Sequence, residues 1–469
     1  MSSYKIKVII PIRESESPST TLDSIKQYTT NTIDTLVVVD TDKKGACWAR
    51  NKGWDMIKDE DFDFVMFCDN DTEWRGGALD ILANTLMAHP EAGYSYCSFS
   101  IGEHEFGKRD FTIESLFQGN YITTSASLIR KECFTRFDEN VQRLQDWDLW
   151  LDMYFKNGTT GVWCGRTLFN TKMREGGISH NGSIGLGVAT EIIKKKWGLA
   201  RVQVVLPAIN LWNDYTLPCI KSLNIAIENA KRHGISTRVL FIDNGSQDET
   251  CKEASKMVTG NFAHKRNEKA WSFSKSVNFG VEDAWTRNFD YAFVINNDIL
   301  LHKDAIIYLV KRFRQADPEI AMLSCLDVQG EMGDGREINF INAKEREYIS
   351  ESEHPNFSAF MISKYAWEKI GQFDENFSPA YHEDNDLHYR ICQIGMKALC
   401  IPPAMFYHYG SRTWNNAILE SATVKQQMFL ATRAYYVTKW GGLPGEEKFT
   451  HPYNDKNLSV KDWLHNDNI

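Results

Sequence analysis

Short apolar runs ending at polar turns recur along the chain, and they recur in the same order twice. KVIIP at 7–11 and QVVLP at 203–207 read as buried strands ending in proline, and TLVVVD at 35–40 and RVLFID at 238–243 as buried strands ending in aspartate. FVMFCDND at 64–71 and FVINND at 293–298 each run from a strand into an acidic turn. Between them, TTLDSIKQYTT and TLPCIKSLNIAIENAKRH carry apolar residues at helical spacing. Strands alternating with helices predict an α/β fold, a mostly parallel sheet with helices on both faces. In such sheets ligands bind beyond the carboxyl ends of the strands, where Asp40, Asp71, Asp243 and Asp298 fall.

The order of motifs is an internal repeat, and repeats decide the fold before anything else does. An Asn-x-Gly pair, RNKG or VNFG, precedes each acidic turn, and twenty residues separate Asn51 from Asp71 and Asn278 from Asp298 alike. FDEN stands at 137–140 and again at 373–376, shortly before a carboxylate-rich helix start, and reads as the turn that delivers it. The repeat predicts two domains, 1–190 and 200–412, divided near the glycine-rich and basic stretch NGSIGLGVATEIIKKKWGLA. Residues 413–469, with the long helical pattern ILESATVKQQMFLATRAYYVTKW, read as a C-terminal extension without a counterpart in the first half.

Composition narrows the partners. With 469 residues, 42% hydrophobic, the chain is ordinary globular protein, and a net charge of −9 argues against a generally basic nucleic-acid binder. Ten cysteines without a C-x-x-C pair signal neither a zinc site nor a disulfide framework, which fits reduced thiols in a cytoplasmic setting. The start of the chain has no apolar signal segment and no stretch reaches the roughly 18 apolar residues a membrane span needs. The expectation is a cytoplasmic protein, at most associated with a membrane surface.

Three constellations carry candidate chemistry. Asp69-Asn70-Asp71 and Asn296-Asn297-Asp298 offer oxygens at strand ends, suited to a hard divalent cation or simply to a strand-to-helix turn. Gln145-Asp146-Trp147-Asp148 and His382-Glu383-Asp384-Asn385-Asp386 begin amphipathic helical stretches, where a carboxylate is either a cap on the helix dipole or a general base toward a bound hydroxyl. His180 in GGISH and His408 in FYHYG follow in the same motif order, each either structural or placed at a metal or pyrophosphate.

These motifs resemble those of the family 2 glycosyltransferases of GT-A fold. In the second half FIDNGSQDET, NEKAWSFSKSVNFG, FVINNDILL and IGQFDENFSPAYHEDNDLHYRICQIG resemble the rhamnosyltransferase-like branch; in the first, VIIPIRES, GACWARNKG, FCDND and QDWDLWL resemble another branch. YYVTKWGG is similar to segments near the ends of such enzymes. The resemblance implies two tandem GT-A domains of Rossmann-like, nucleotide-diphospho-sugar transferase type. It implies a nucleotide-sugar donor held by Pro11, Arg13, Asp40, Arg50 and Asn51, or by Pro207, Asp243, Asn244 and Asn278. It further implies Mn²⁺ or Mg²⁺ held by Asp69, Asp71 and His180, or by Asn296, Asp298 and His408, with Arg174 at the pyrophosphate. Asp146, and Asp384 with Glu383, would be the catalytic carboxylates of an inverting transfer; Gln145 departs from the glutamate common at its position. A glycan or lipid-linked glycan is the expected acceptor. The basic clusters KKKW and KRFR leave modified bases of viral DNA as an alternative, and a non-catalytic carbohydrate-binding role for one or both halves is the alternative of another class.

Overall fold

The computed structural model describes residues 4–171, 184–315, 317–332, 338–410 and 422–463. The chain divides into two compact units, residues 1–197 and 198–469. Each is built on one sheet. In the first, β1 (Lys5–Ile12), β2 (Thr32–Val39), β3 (Phe64–Phe67), β4 (Glu73–Trp74), β5 (Ala92–Ile101), β7 (Ser127–Arg130) and β8 (Thr160–Thr171) run in the order β2-β1-β3-β7-β5-β8-β4, and β6 (His104–Phe106) pairs with β5. In the second, β9 (Ala200–Ala208), β10 (Ile235–Asp243), β11 (Asn261–Arg266), β12 (Tyr291–Ile295), β13 (Ile299–Leu301), β14 (Ile320–Asp327), β15 (Ala359–Ser363) and β16 (Lys397–His408) run in the order β11-β10-β9-β12-β15-β14-β16-β13. Dropping the additional edge strand β11 makes the two orders identical, element for element.

The sheets are mixed, where the apolar pattern predicts mostly parallel ones. β1 pairs in parallel with β2 and β3, but β7 enters antiparallel between β3 and β5; β15 does the same between β12 and β14. A continuous apolar run shows that a strand is buried on both faces but carries no information on its direction, so the inserted strand is invisible to hydropathy.

Alternate residues of β9 feed opposite cores. Val202, Val204 and Leu206 pack with the helices Leu217–Arg232 and Ala305–Phe313, while Val205 joins Val277 and Val281 of the helix Phe273–Thr286. The glycine of each Asn-x-Gly pair lets a helix lie directly on the central strand. A Cβ on Gly53 would come 2.5 Å from Ile9 Cγ2, and one on Gly280 would come 2.2 Å from Val205 Cγ1. Glycine is required there by close approach of helix to sheet.

The end of each unit departs from the expected boundaries. The helix Leu186–Trp197 belongs to the first unit and packs on it, and the helix Ala422–Trp440 belongs to the second. The C-terminal helix therefore has a counterpart. Both helices end in Lys-Trp followed by glycine, a three-residue echo too short to register against the larger repeat.

Candidate active sites

In both units the predicted residues gather at the carboxyl edge of the parallel strands. Pro11 closes β1 beside Val38 and Pro207 closes β9 beside Ile242, both half-buried. Arg13, one residue past β1, is exposed, and its backbone N–H donates to Glu16 Oε2 at 3.0 Å. Asp40 follows β2 and accepts from the backbone N–H groups of Lys44 (2.9 Å) and Gly45 (2.7 Å), which shapes the turn into the helix Ala46–Ile57.

Several residues expected at the nucleotide sugar are hydrogen-bonded within the protein. Asp243 is fully buried; it accepts from Ser246 N–H (3.0 Å) and pairs with Arg266 (2.9 Å), so Arg266 is the half-exposed group of that pair. Asn244 accepts from Asn267 Nδ2 (2.9 Å) and donates to Ser276 Oγ (3.1 Å). Asn51 and Asn278 clamp the FDEN turns. Asn51 Nδ2 donates to Phe137 O and Glu139 Oε1, both at 2.9 Å, while its oxygen accepts from Phe137 N–H at 3.0 Å. Asn278 repeats all three bonds to Phe373 and Glu375, at 2.9, 3.0 and 2.8 Å. The separation of Asn-x-Gly from FDEN in sequence hid this partnership; its recurrence in both halves was the signal that could have found it.

The FDEN turn leads into the carboxylate-bearing helix, Gln145–Asn157 or Glu383–Gln393. The residue before each helix is left-handed without being glycine, Leu144 at φ 64° and His382 at φ 68°. Such conformations cost on the order of 1–3 kcal/mol and persist where the surroundings over-determine them, characteristically at functional sites. Asp146 and Asp384 sit one residue into these helices and keep part of their surface open. Burial among protein atoms pushes both carboxyls above the usual aspartate range; the Arg50 charge partly offsets this for Asp146.

The surroundings of the two carboxylates differ. In the first unit buried Arg50 donates to Asp69 Oδ1 at 2.9 Å and to Gln145 Oε1 at 3.4 Å. In the second, the position matching Arg50 is Val277, and Glu383, at the place of Gln145, is buried with Oε2 lacking any hydrogen-bond partner. Burial, then the neighbouring Asp384, pushes Glu383 up to about 8.

The acidic turns meet the far strand. β13 pairs with β16 so that Ile299 faces His408, and His408 Nε2 lies 3.4 Å from Asp298 Oδ1. That nitrogen is buried and makes no hydrogen bond, and an imidazole beside a carboxylate suits a divalent cation that takes its remaining ligands from phosphate and water. Asn296 is half-buried beside them. Among the described residues no three His, Cys, Asp or Glu side chains converge. In the first unit Asp69 and Asp71 occupy the matching turn, with Asp69 already paired to Arg50. His180 and Arg174 lie outside the described residues. The antiparallel register of β4 with β8 pairs Glu73 with Asn170; one step further along, Thr171 takes the place that His408 holds.

The basic clusters expected as phosphate contacts are largely neutralised internally. In KKKW, Lys194 pairs with Glu191 and Lys196 with Asp138 and Asp148; in KRFR, Arg312 pairs with Glu351 and Arg314 with Asp290. Among the described residues no helix is long and apolar enough to cross a membrane.

A galactofuranosyl glycosyltransferase of Leishmania donovani is 35% identical over 65 residues, 14% of this chain and 15% of that protein. Among solved structures, a mannosyltransferase from Pyrobaculum calidifontis in complex with GDP-Man and Mn²⁺ is similar at 15% identity and a TM-score of 0.36, over 53% of this chain and 66% of that one. GalNAc-T7 with UDP, GalNAc and Mn²⁺ is similar at 15% identity and a TM-score of 0.37, over 52% of this chain and 48% of that one. This chain thus spans less than two thirds of each. The model of glycosyl transferase family 2 matches residues 4–140 and, separately, 203–370, once in each unit. With that model matching well over half of the chain, once in each of two domains of like strand order, the protein belongs to glycosyl transferase family 2.

Proposed function

We propose that each domain is a separate metal-dependent inverting transferase site, and that the two add sugars in succession to a glycan or lipid-linked glycan acceptor. The observation that carries this reading is the double placement of a partly open, buried-side aspartate, Asp146 or Asp384, at a strained helix start on the same strand edge as an acidic turn. Asp146 or Asp384 accepts the proton of the acceptor hydroxyl as that oxygen attacks the anomeric carbon from the face opposite the leaving diphosphate, and a single displacement of this kind inverts configuration. A raised carboxyl pKa suits a base that must be ionised yet proton-accepting near neutrality. Asp298 with His408, and Asp69 with Asp71, would hold the cation, Mn²⁺ or Mg²⁺, which when bound offsets charge on the leaving nucleoside diphosphate. Arg13, just past β1, and the half-exposed Arg266, at the end of β11, are cationic groups at strand ends expected to meet the donor.

The test is a thermal-shift screen of the full chain against UDP-, GDP- and dTDP-sugars with Mn²⁺, followed by product analysis of the Asp146→Asn and Asp384→Asn variants. Two active sites predict that each single variant yields a different truncated product and that the double variant yields none. A double variant with undiminished transfer would refute the assignment of these carboxylates.

A further inference from the structure

We propose that the Lys-Trp pair ending each domain's last helix, Lys196-Trp197 and Lys439-Trp440, is a positioning device that holds the proposed base at its strained helix start, a proposal that rests on reading Asp146 and Asp384 as bases. Lys196 Nζ lies 2.8 Å from Asp138 Oδ2 of the FDEN turn and 2.7 Å from Asp148 Oδ1, while Trp197 Nε1 donates to Asp148 Oδ1 at 2.8 Å. Lys439 Nζ lies 2.8 Å from Asp374 Oδ2 and 2.7 Å from Asp386 Oδ1, and Trp440 Nε1 donates to Asp386 Oδ1 at 2.8 Å. The partners fill the same two roles in both domains: the aspartate of FDEN and the aspartate two residues after the base.

The consequence is geometric. One ammonium ties the two ends of the segment that carries the base, 138–148 or 374–386, into a closed loop, and the asparagine clamp fixes the start of that loop to the sheet. Without the tie, nothing in the local chemistry of Leu144 or His382 favours a left-handed backbone, since neither is glycine. In the second domain the same helix also touches the strained residue itself: His382 Nδ1 lies 3.3 Å from Thr432 Oγ1, and its ring packs 5.0 Å from that of Phe429. Neither lysine is a catalytic residue, because each is spent on carboxylates away from the open face of the base. Among the described residues, the charged groups facing Lys439 are Asp374 and Asp386, with Arg390 bound to the latter at 2.9 Å; those facing Lys196 are Asp138 and Asp148.

The experiment uses the full chain with Asp384→Asn, so that only the first site turns over, and adds Lys196→Met, Lys196→Arg or Asp146→Asn. Lys196 is the better probe because its site is partly open to solvent, so the variant is expected to keep the fold. Turnover is read as nucleoside diphosphate released from UDP-glucose, UDP-N-acetylgalactosamine and GDP-mannose with Mn²⁺, and hydrogen exchange is followed with no donor present. Lys196→Met is expected to lower kcat by about 10²-fold at a donor KM changed less than about twofold, because misplacement of the base by an ångström acts on the chemical step. Lys196→Arg recovers most of that loss. Exchange of amides 138–149 rises at least about tenfold in Lys196→Met while β1 and β3 are unchanged. Unchanged exchange, a KM that rises in step with the fall in kcat, or an Arg variant as poor as Met overturns the latch. A fully active Asp146→Asn overturns the base and the latch together, which is distinguishable from an inactive Asp146→Asn beside a fully active Lys196→Met, the result that overturns the latch alone.

Discussion

The two domains share strand order, asparagine clamp, strained helix start and Lys-Trp pair, yet they surround the proposed base with opposite chemistry. The first places Arg50, Asp69 and Gln145 where the second places Val277, Asn296 and Glu383. Counted as ions, the first trio is neutral and the second carries one negative charge. The second balances that charge differently, because burial lets Glu383 keep its proton to about 8. Both arrangements therefore leave one ionised carboxylate beside neutral neighbours near pH 7, one by a guanidinium and the other by a stored proton. Duplicated scaffolds constrain where the base stands; the partners that tune it have diverged, as expected if the two sites take different donors or acceptors.

The largest effect expected is loss of the base itself. Asp146→Asn or Asp384→Asn should each lower transfer at its own site by about 10²- to 10⁴-fold, with the partner site unchanged, measured by mass spectrometry of the products. If one substitution leaves every product intact, that domain has ceased to be a transferase and the comparison becomes one between an enzyme and its platform.

Next in size is the latch, where the domains should differ in stability. Lys439, Asp374 and Asp386 are fully buried, and Asp386, which burial would push up, is held below its ordinary range by Arg390 and Lys439. Lys439→Met takes the shared ammonium from two buried carboxylates, leaving Asp374 to the Tyr435 hydroxyl and Asp386 to Arg390 and Trp440, and should cost about 3–5 kcal/mol. In the first domain Asp138 and Lys196 are about a third exposed, and Asp148, pushed up by burial, has Asp152 rather than an arginine one turn on. Lys196→Met should cost about 1–2 kcal/mol, since solvent can take over part of the lost pairing. Domain-resolved hydrogen exchange of the full chain measures both; equal costs would show that burial does not distinguish the latches.

How much of this the sequence carried follows from the range of each interaction. Strands, the repeat and the acidic turns are written in local patterns, so the family and the strand edge were legible. The carboxylates Asp146 and Asp384 were legible as candidates because they begin helices. What local pattern does not carry is pairing across long separations. Asn51 meets Phe137 across 86 residues and Lys439 meets Asp374 across 65, and neither residue type announces a partner. For the same reason the pairing of Asp243 with Arg266 and of Asn244 with Asn267 was not legible: a polar strand end does not announce its protein partner. The place of Thr171 at the first acidic turn was not legible either, because register is a property of the sheet.

The third prediction turns on the sign of a raised pKa. Glu383 is held protonated to about 8 against 4.5 in a free chain, so its contribution to stability is complete below about pH 4.5 and is lost as the pH rises toward 8. Glu383→Gln removes the ionisable group. It should leave stability unchanged at pH 4 and raise it by roughly 3 kcal/mol at pH 7–8, several degrees in the melting temperature of the second domain. Gln145→Glu is the converse. It introduces a carboxylate beside Arg50, which would pair with it, and so should not reproduce the pH dependence of Glu383; thermal melts across pH 4–8 separate the cases.

The smallest effect expected isolates Arg50. Burial raises the Asp146 pKa and the Arg50 charge lowers it, while Asp69, neutralised now by that same guanidinium, acts to raise it. Arg50→Val, which copies the second domain, removes the opposing charge and unmasks Asp69, and both changes act in the same direction. The acid limb of kcat/KM at the first site, measured in the Asp384→Asn background, should therefore move to higher pH, because more of the base is protonated at any given pH below neutrality. Adding Asp69→Asn, the other substitution that the second domain carries, should move it part of the way back. A limb that stays in place under Arg50→Val would mean that the guanidinium serves only to order the acidic turn, and the two domains would then tune their bases by burial alone.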